Sequence, residues 1–177
     1  MNKGLVFWFT GLSGAGKTTL AQTTREALEA RGRSVMLLDG DVLRPILSAN
    51  LGFGRTDVIE NNTRVARHCA RHRTKADIVL VPIISPYVEG RAAARSILSP
   101  GFFLIHVRAD IETVIGRDPK GLYRRALAGE ISDMIGYSPE TPYEPPGDAD
   151  LTVDTVALAP RSATQRLVAF ISERLAA

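Results

Sequence analysis

The sequence predicts an α/β fold, a three-layer doubly wound parallel sheet in a single domain spanning residues 1–177. Three observations carry this. The apolar runs are unbroken rather than alternating, as in strands buried on both faces. They are separated by segments with helical spacing, the strand–helix rhythm of a parallel sheet. The first run feeds straight into Gly11-Leu12-Ser13-Gly14-Ala15-Gly16-Lys17-Thr18, a glycine-rich turn of the kind that joins a strand to a helix. A hydrophobic content of 45% is ordinary for one globular core.

Residues 4–10, centred on Leu5-Val6-Phe7-Trp8-Phe9, form the first expected strand. A helix follows from Thr18 to Ala30, with Leu20, Thr24, Ala27 and Leu28 at helical spacing, and Gly32 stops it. Ser34 to Leu38 is a short strand ending in Asp39-Gly40-Asp41. The next helix runs from Val42 towards Asn50, with Pro45 tolerated in its first turn. Leu51 to Gly54 is a loop, and Thr56 to about Thr74 a helix carrying Val58, Val65 and Cys69 on one side. Ile78 to Val81 reads as a buried strand closing at Pro82. A helix over Glu89–Leu98, a strand over Phe102–Val107 and a helix over Asp110–Gly116 follow. Arg117 to Asp148 breaks the rhythm, being polar and rich in Gly and Pro with one short helix near Leu122–Ala128. Leu151-Thr152-Val153 is the last strand, and Arg161–Leu175 a closing amphipathic helix.

Composition narrows the function classes. The longest apolar runs, Ile78–Ile84 and Phe102–Val107, fall far short of the ~20 residues of a membrane span. Met1-Asn2-Lys3-Gly4 leads directly into a strand, so no signal peptide is expected, and the reading is of a soluble, cytoplasmic protein with no membrane partner. The formal charge is +3, but only Lys3, Lys17, Lys75 and Lys120 are lysines, leaving 18 of the 22 basic residues as arginine (22 − 4). They are scattered, without a basic tail or an aromatic-interleaved stripe, so a nucleic-acid partner is not expected. The lone Cys69 excludes an intrachain disulfide and reads as a buried structural thiol beside Val65 and Ala66. His68 and His72 have the i, i+4 spacing of a metal pair, but no third ligand is near in sequence, and a solvated helix face is the reading adopted.

The chemistry gathers at the strand ends, where parallel sheets bind ligands. The first carries the phosphate loop: its backbone N–H groups turn inward around phosphate oxygens, Lys17 supplies a point charge, Thr18 a hydroxyl for Mg²⁺, and the helix its positive dipole end. ATP or GTP is the implied ligand. The second carries Asp39 and Asp41, the third Ser85, and the fourth leads to Arg117 and Lys120. Phosphoryl transfer needs such a set: cations on the moving group, a metal to neutralise it, and a carboxylate for the hydroxyl proton. A competing reading makes Asp39-Gly40-Asp41 a turn with Asp41 as helix N-cap. The stretch 117–148 is long for a connection and fits a lid that shields ATP from water, with Arg117, Lys120, Arg124 and Arg125 over anionic groups.

Beyond the phosphate loop and Thr19, the chain carries Leu38-Asp39-Gly40-Asp41 with Arg44, Leu51-Gly52-Phe53, Asn61, Ser85-Pro86-Tyr87, Arg117-Asp118-Pro119-Lys120-Gly121-Leu122-Tyr123 and Tyr143-Glu144-Pro145. Together, over roughly residues 4–155, these resemble the adenylylsulfate (APS) kinases, whose fold is P-loop nucleoside-kinase-like. The resemblance implies transfer of the γ-phosphate of MgATP to the 3′-hydroxyl of adenylylsulfate, yielding 3′-phosphoadenylylsulfate in sulfate activation. It implies ATP bound by Gly11 to Thr19 and Arg117, Mg²⁺ at Thr18 and Asp39, and Asp39 and Asp41 serving the metal's hydration and the accepting hydroxyl. Lys17, Asp39, Asp41 and Ser85 form the implied catalytic set, Ser85 as a phosphorylated intermediate being disfavoured because in-line transfer needs no covalent step. Asp41, Arg44, Phe53, Asn61, Ile84, Ser85, Lys120 and Leu122 are the implied substrate contacts, with Phe53 stacking on the base. A functional link to an ATP sulfurylase is also implied.

Two departures stand out. In Phe53-Gly54-Arg55-Thr56-Asp57-Val58-Ile59-Glu60-Asn61, Val58 replaces an arginine expected to grip the anionic substrate. Such a charged hydrogen bond is worth ~1.5–3 kcal/mol, or about 10- to 150-fold in binding, and Arg55, one turn earlier, is the candidate to replace it. Met134-Ile135-Gly136 stands where Phe-Thr-Gly is common, a change in lid packing. The chain opens at the first strand without the arm many members carry, which leaves monomer and homodimer both open. The alternatives are a kinase of this fold acting on another nucleotide-linked anion or small metabolite, and a non-catalytic nucleotide-binding module.

Overall fold

The computed structural model describes residues 4–176. Five strands, β1 (Leu5–Thr10), β2 (Val35–Leu37), β3 (Ile78–Pro82), β4 (Phe102–Arg108) and β5 (Leu151–Asp154), form one sheet in the order β2-β3-β1-β4-β5. Every pairing is parallel, with Phe7 beside Leu80 on one side and Phe103 on the other. Six α-helices lie between them, α1 (Lys17–Glu29), α2 (Gly40–Leu47), α3 (Arg55–His72), α4 (Val88–Leu98), α5 (Ile111–Arg117) and α6 (Leu122–Leu127), and α7 (Pro160–Ala176) follows β5.

The alternation of side chains along β1 divides the core into the two expected halves. Phe7 and Phe9 face α1 and α7, packing with Leu20, Leu28, Leu167 and Ile171. Val6 and Trp8 face the opposite way and pack with Val65 and Cys69 of α3 and Ala94 and Leu98 of α4. Helices on both faces of a parallel sheet make the three layers. Burial pushes the Cys69 thiol up to about 12, so it is an inert core residue, as expected. The His68 and His72 rings lie 4.3 Å apart, tilted by 32°, and no group of three His, Cys, Asp or Glu side chains able to hold a metal occurs among the described residues. No helix among the described residues is long and apolar enough to cross a membrane.

Two local expectations are corrected. Helix α2 begins at Gly40, not Val42, so Pro45 lies in its second turn rather than its first. It is tolerated because α2 ends two residues later and Pro45 is exposed, so the missing N–H costs one bond near a helix end. The α2 N-cap is Asp39, whose carboxylate accepts the Asp41 N–H at 2.9 Å, and Asp41 is thereby left unengaged in capping.

The stretch 117–148 is more ordered than a bare loop. Asp118 accepts the N–H groups of Tyr123 and Arg124 and fixes the start of α6. Tyr123 and Met134 are buried in the α1–α7 half of the core. The Met134 carbonyl collects the N–H groups of Tyr137 and Ser138 and the Thr141 hydroxyl, folding 134–141 into a compact turn.

Candidate active site

At the carboxyl end of the sheet lies a cleft of about 1040 Å³, at the upper end of what a single small-molecule ligand occupies. Its floor is the loop after β1. A side chain at Gly11 would collide with the Val107 carbonyl, and Gly16 takes φ 94° to turn the chain into α1, which explains two of the glycines. Lys17, the first residue of α1, folds back over the loop and donates to the Gly11 and Leu12 carbonyls at 2.9 and 2.7 Å. Burial pushes this ammonium down to about 7 against the opposing pull of Asp41 and Asp39, with Lys120 adding to the depression.

Thr18 Oγ1 donates to Asp39 Oδ2 at 2.9 Å, so one carboxylate caps α2 with one oxygen and holds the loop hydroxyl with the other. Asp41 is exposed and forms an ion pair with Lys120 from the 117–148 segment. This segment also closes over the loop elsewhere. Tyr123 OH donates to Ser13 O at 2.9 Å, and Arg117 donates to Thr155 O at 2.7 Å and Thr155 Oγ1 at 3.1 Å. Thr155 Oγ1 in turn donates to Ala15 O at 2.9 Å.

The opposite wall is built from α2, α3 and the end of β3. The Arg44 guanidinium lies 4.4 Å over the Phe53 ring and donates to the Gly52 carbonyl. Phe53 is 44% exposed, unusual for a large aromatic and suited to stacking on a planar ligand. Val58 is an apolar, nearly covered part of this wall. Asn61 is buried beside the cleft, and its Oδ1 has no hydrogen-bond partner among the described residues.

Ser85 adopts φ 45°, a left-handed conformation that costs a non-glycine residue ~1–3 kcal/mol unless its surroundings enforce it. The surroundings do. Thr10 Oγ1 donates to the Ile84 and Ser85 carbonyls at 2.8 and 3.0 Å, and Gly11 N donates to the Ile84 carbonyl at 3.2 Å. Asn62 Nδ2 donates to Ser85 Oγ at 3.0 Å, and the buried Arg91 donates to the Ser85 carbonyl at 2.9 Å.

The cleft thus gathers Ser13 to Thr19, Asp41, Arg44, Phe53, Asn61, Ile84, Ser85, Arg117, Lys120 and Leu122 on its walls. Gly11, Leu12 and Asp39 stand behind them, shaping Lys17 and Thr18 rather than facing the space. Arg55 does not reach the place of the missing cation: it is held by Glu89 at 2.6 Å and Glu144 at 2.8 Å and lies 4.2 Å over the Tyr87 ring. Sequence reading missed Asn62, Arg91 and Thr155. Thr155 follows a strand end and was open to the strand-end rule. Asn62 and Arg91 carry no signal of spacing, since their partners are 23 and 6 residues away and chosen by the fold.

The chain is similar to proteins of one family. A family model described as adenylylsulphate kinase matches residues 3–154. Similar curated proteins include an adenylyl-sulfate kinase of Paraburkholderia xenovorans (strain LB400), 42% identical over 96% of this chain and 93% of the relative. Another, from Geotalea uraniireducens (strain Rf4), is 39% identical over 99% of this chain and 84% of the relative. Among solved structures, the Mycobacterium tuberculosis APS kinase in complex with AMPPNP and APS superposes with a TM-score of 0.88 at 35% identity, covering 97% of this chain and 99% of that one. The chain belongs to the adenylylsulphate kinase family.

Proposed function

We propose that the protein is an adenylylsulfate kinase that transfers the γ-phosphoryl group of ATP to the 3′-hydroxyl of adenylylsulfate, giving ADP and 3′-phosphoadenylylsulfate. The observation that carries this reading is one cleft with two unlike walls: a phosphate loop with Lys17 and Thr18, facing a shelf of Arg44, Phe53, Asn61 and Ser85. Relatives named for this activity, and one solved with AMPPNP and APS, support the same choice.

In this reading the Gly11–Thr19 backbone cradles the ATP phosphates, Lys17 exchanges its two loop carbonyls for phosphate oxygens, and Arg117 lies along the adenine. Thr18 and Asp39 fit Mg²⁺, since a hydroxyl and a carboxylate held 2.9 Å apart are hard oxygen donors of the kind that shares the ion with substrate phosphates. When bound, the ion neutralises phosphate charge. Arg44 receives the anionic end of adenylylsulfate, Phe53 stacks on its base, and Asn61, the Ile84-Ser85 backbone and Leu122 line its seat. Asp41 takes the 3′-hydroxyl proton as the new O–P bond forms and the bond from the γ-phosphorus to the ADP oxygen breaks. Lys120, paired with Asp41 here, turns to the transferring phosphoryl group. Ser85 is a hydrogen-bonding contact and not a nucleophile: its hydroxyl's side-chain partner is the Asn62 N–H, a donor that cannot accept its proton. Residues 117–148 act as the lid of a single-domain, cytoplasmic enzyme, and an ATP sulfurylase supplies the substrate.

The test is ADP release from MgATP with and without adenylylsulfate. Stimulation at micromolar adenylylsulfate is expected. ATP binding without any stimulation would overturn the assignment.

A further inference from the structure

We infer that Arg91 is a positioning residue that joins the acceptor wall of the cleft to the end of the lid, and that it governs adenylylsulfate binding without touching ATP. The inference rests on the kinase reading above. Arg91 is 4% exposed on the first turns of α4, yet it directs its guanidinium at two main-chain carbonyls rather than a carboxylate. Nη1 donates to Ser85 O at 2.9 Å and Nη2 to Glu144 O at 2.8 Å. A buried cation is costly, and the planar guanidinium fork places one donor on each of two carbonyls from different segments.

Each carbonyl belongs to a segment that needs holding. Ser85 is the residue at φ 45°, and the carbonyl that Arg91 grips also receives Thr10 Oγ1, so the Ser85-Pro86 peptide is fixed from two sides. Glu144 closes the 117–148 segment where it returns to the sheet. Its N–H donates to Pro86 O at 2.9 Å, and its carboxylate accepts Val88 N at 2.8 Å and Arg55 at 2.8 Å. Next to it, Tyr143 OH lies 3.0 Å from Thr10 Oγ1, the same hydroxyl that holds Ile84 and Ser85. Arg91 is therefore the covalent-free bolt between the turn that seats the acceptor and the return of the lid. Arg91 itself bonds to no atom of the phosphate loop, which meets this turn through Gly11 N on the Ile84 carbonyl and through Thr10 just before it. Loosening the bolt should disturb one substrate and spare the other.

The test compares Arg91→Lys, Arg91→Met and a control, Arg67→Met, at an exposed position of α3 away from the cleft. An ammonium keeps the charge but replaces the rigid two-armed fork by a single nitrogen on a shorter stem. For both Arg91 variants the expected result is a rise of about 10-fold or more in KM for adenylylsulfate, with KM for ATP within about twofold. Trypsin should cleave at Arg124 and Arg125 faster than in the wild type, and the Arg67 variant should match the wild type in all three readings. If Arg91→Met folds poorly, Arg91→Lys still gives the split. Equal changes for both substrates, or unchanged constants with an equally resistant lid, would overturn the inference. A wild-type enzyme that ignores adenylylsulfate would instead overturn the kinase reading, and trypsin sensitivity would still report on the bolt.

Discussion

Replacing Arg44 by Met should raise KM for adenylylsulfate by about 10- to 150-fold and leave kcat within a few-fold. The magnitude follows from removing one charge-assisted hydrogen bond, worth ~1.5–3 kcal/mol, at ~1.4 kcal/mol per tenfold. Methionine keeps the apolar stem against Phe53, so the wall is not opened. The upper half of the range is expected because Arg44 is already ordered, 4.4 Å over the Phe53 ring and bonded to Gly52 O, and loses little freedom on binding. The other arginines of this wall cannot compensate. Arg55 is clamped by Glu89 and Glu144, and Arg64 by Glu60 at 2.8 Å and Asn50 at 2.7 Å. Steady-state kinetics with adenylylsulfate varied at saturating MgATP reads the change. Loss confined to KM marks binding shared by ground and transition states. A KM shift below threefold would refute the argument that this wall relies on one arginine.

Val58→Arg, placing a second cation on the same wall, should lower KM for adenylylsulfate; an unchanged or higher value would show that the apolar surface there is not a missing contact. Because burial holds Lys17 down to about 7 in the ligand-free protein, phosphate binding should return its proton, so ATP binding at pH 8 takes up to about one proton and weakens as pH rises. Calorimetry in buffers of different ionisation enthalpy measures this uptake, and buffer-independent heats would contradict it. The same depressed value makes the ligand-free fold gain stability as pH rises from about 7 towards 10.5, where the unfolded chain binds more protons. Gly40→Ala would drive a Cβ to 2.8 Å from Ile83 Cγ1. Overpacking of that kind costs ~1–3 kcal/mol, or about 2–12 °C in melting temperature at this size; an unchanged melting temperature would contradict the packing.

The sheet is legible because each strand is a short apolar run with its own turn signals, and the strand-end rule points to Lys17, Asp41 and Ser85, all of which line the cleft. Element ends were less legible where two residues compete for one role. Asp39 and Asp41 are both chemically suited to cap α2; the helix starts at Gly40, so Asp39 caps it while its other oxygen takes the Thr18 hydroxyl. Arg55 shows the limit in the other direction: helical spacing brings it near Val58, but Glu144, 89 residues away, captures it. Arg91 was invisible for the same reason, since a buried arginine bonded to carbonyls looks in sequence like any charged residue of a surface helix.

The central claim is the identity of the acceptor oxygen. Incubation of the protein with MgATP and adenylylsulfate, followed by mass spectrometry and phosphorus NMR of the product, tests it most directly. The account predicts 3′-phosphoadenylylsulfate, with the new phosphate on the 3′-oxygen and one ADP formed per product. ADP formed without that product, or a phosphate carried elsewhere, would contradict it.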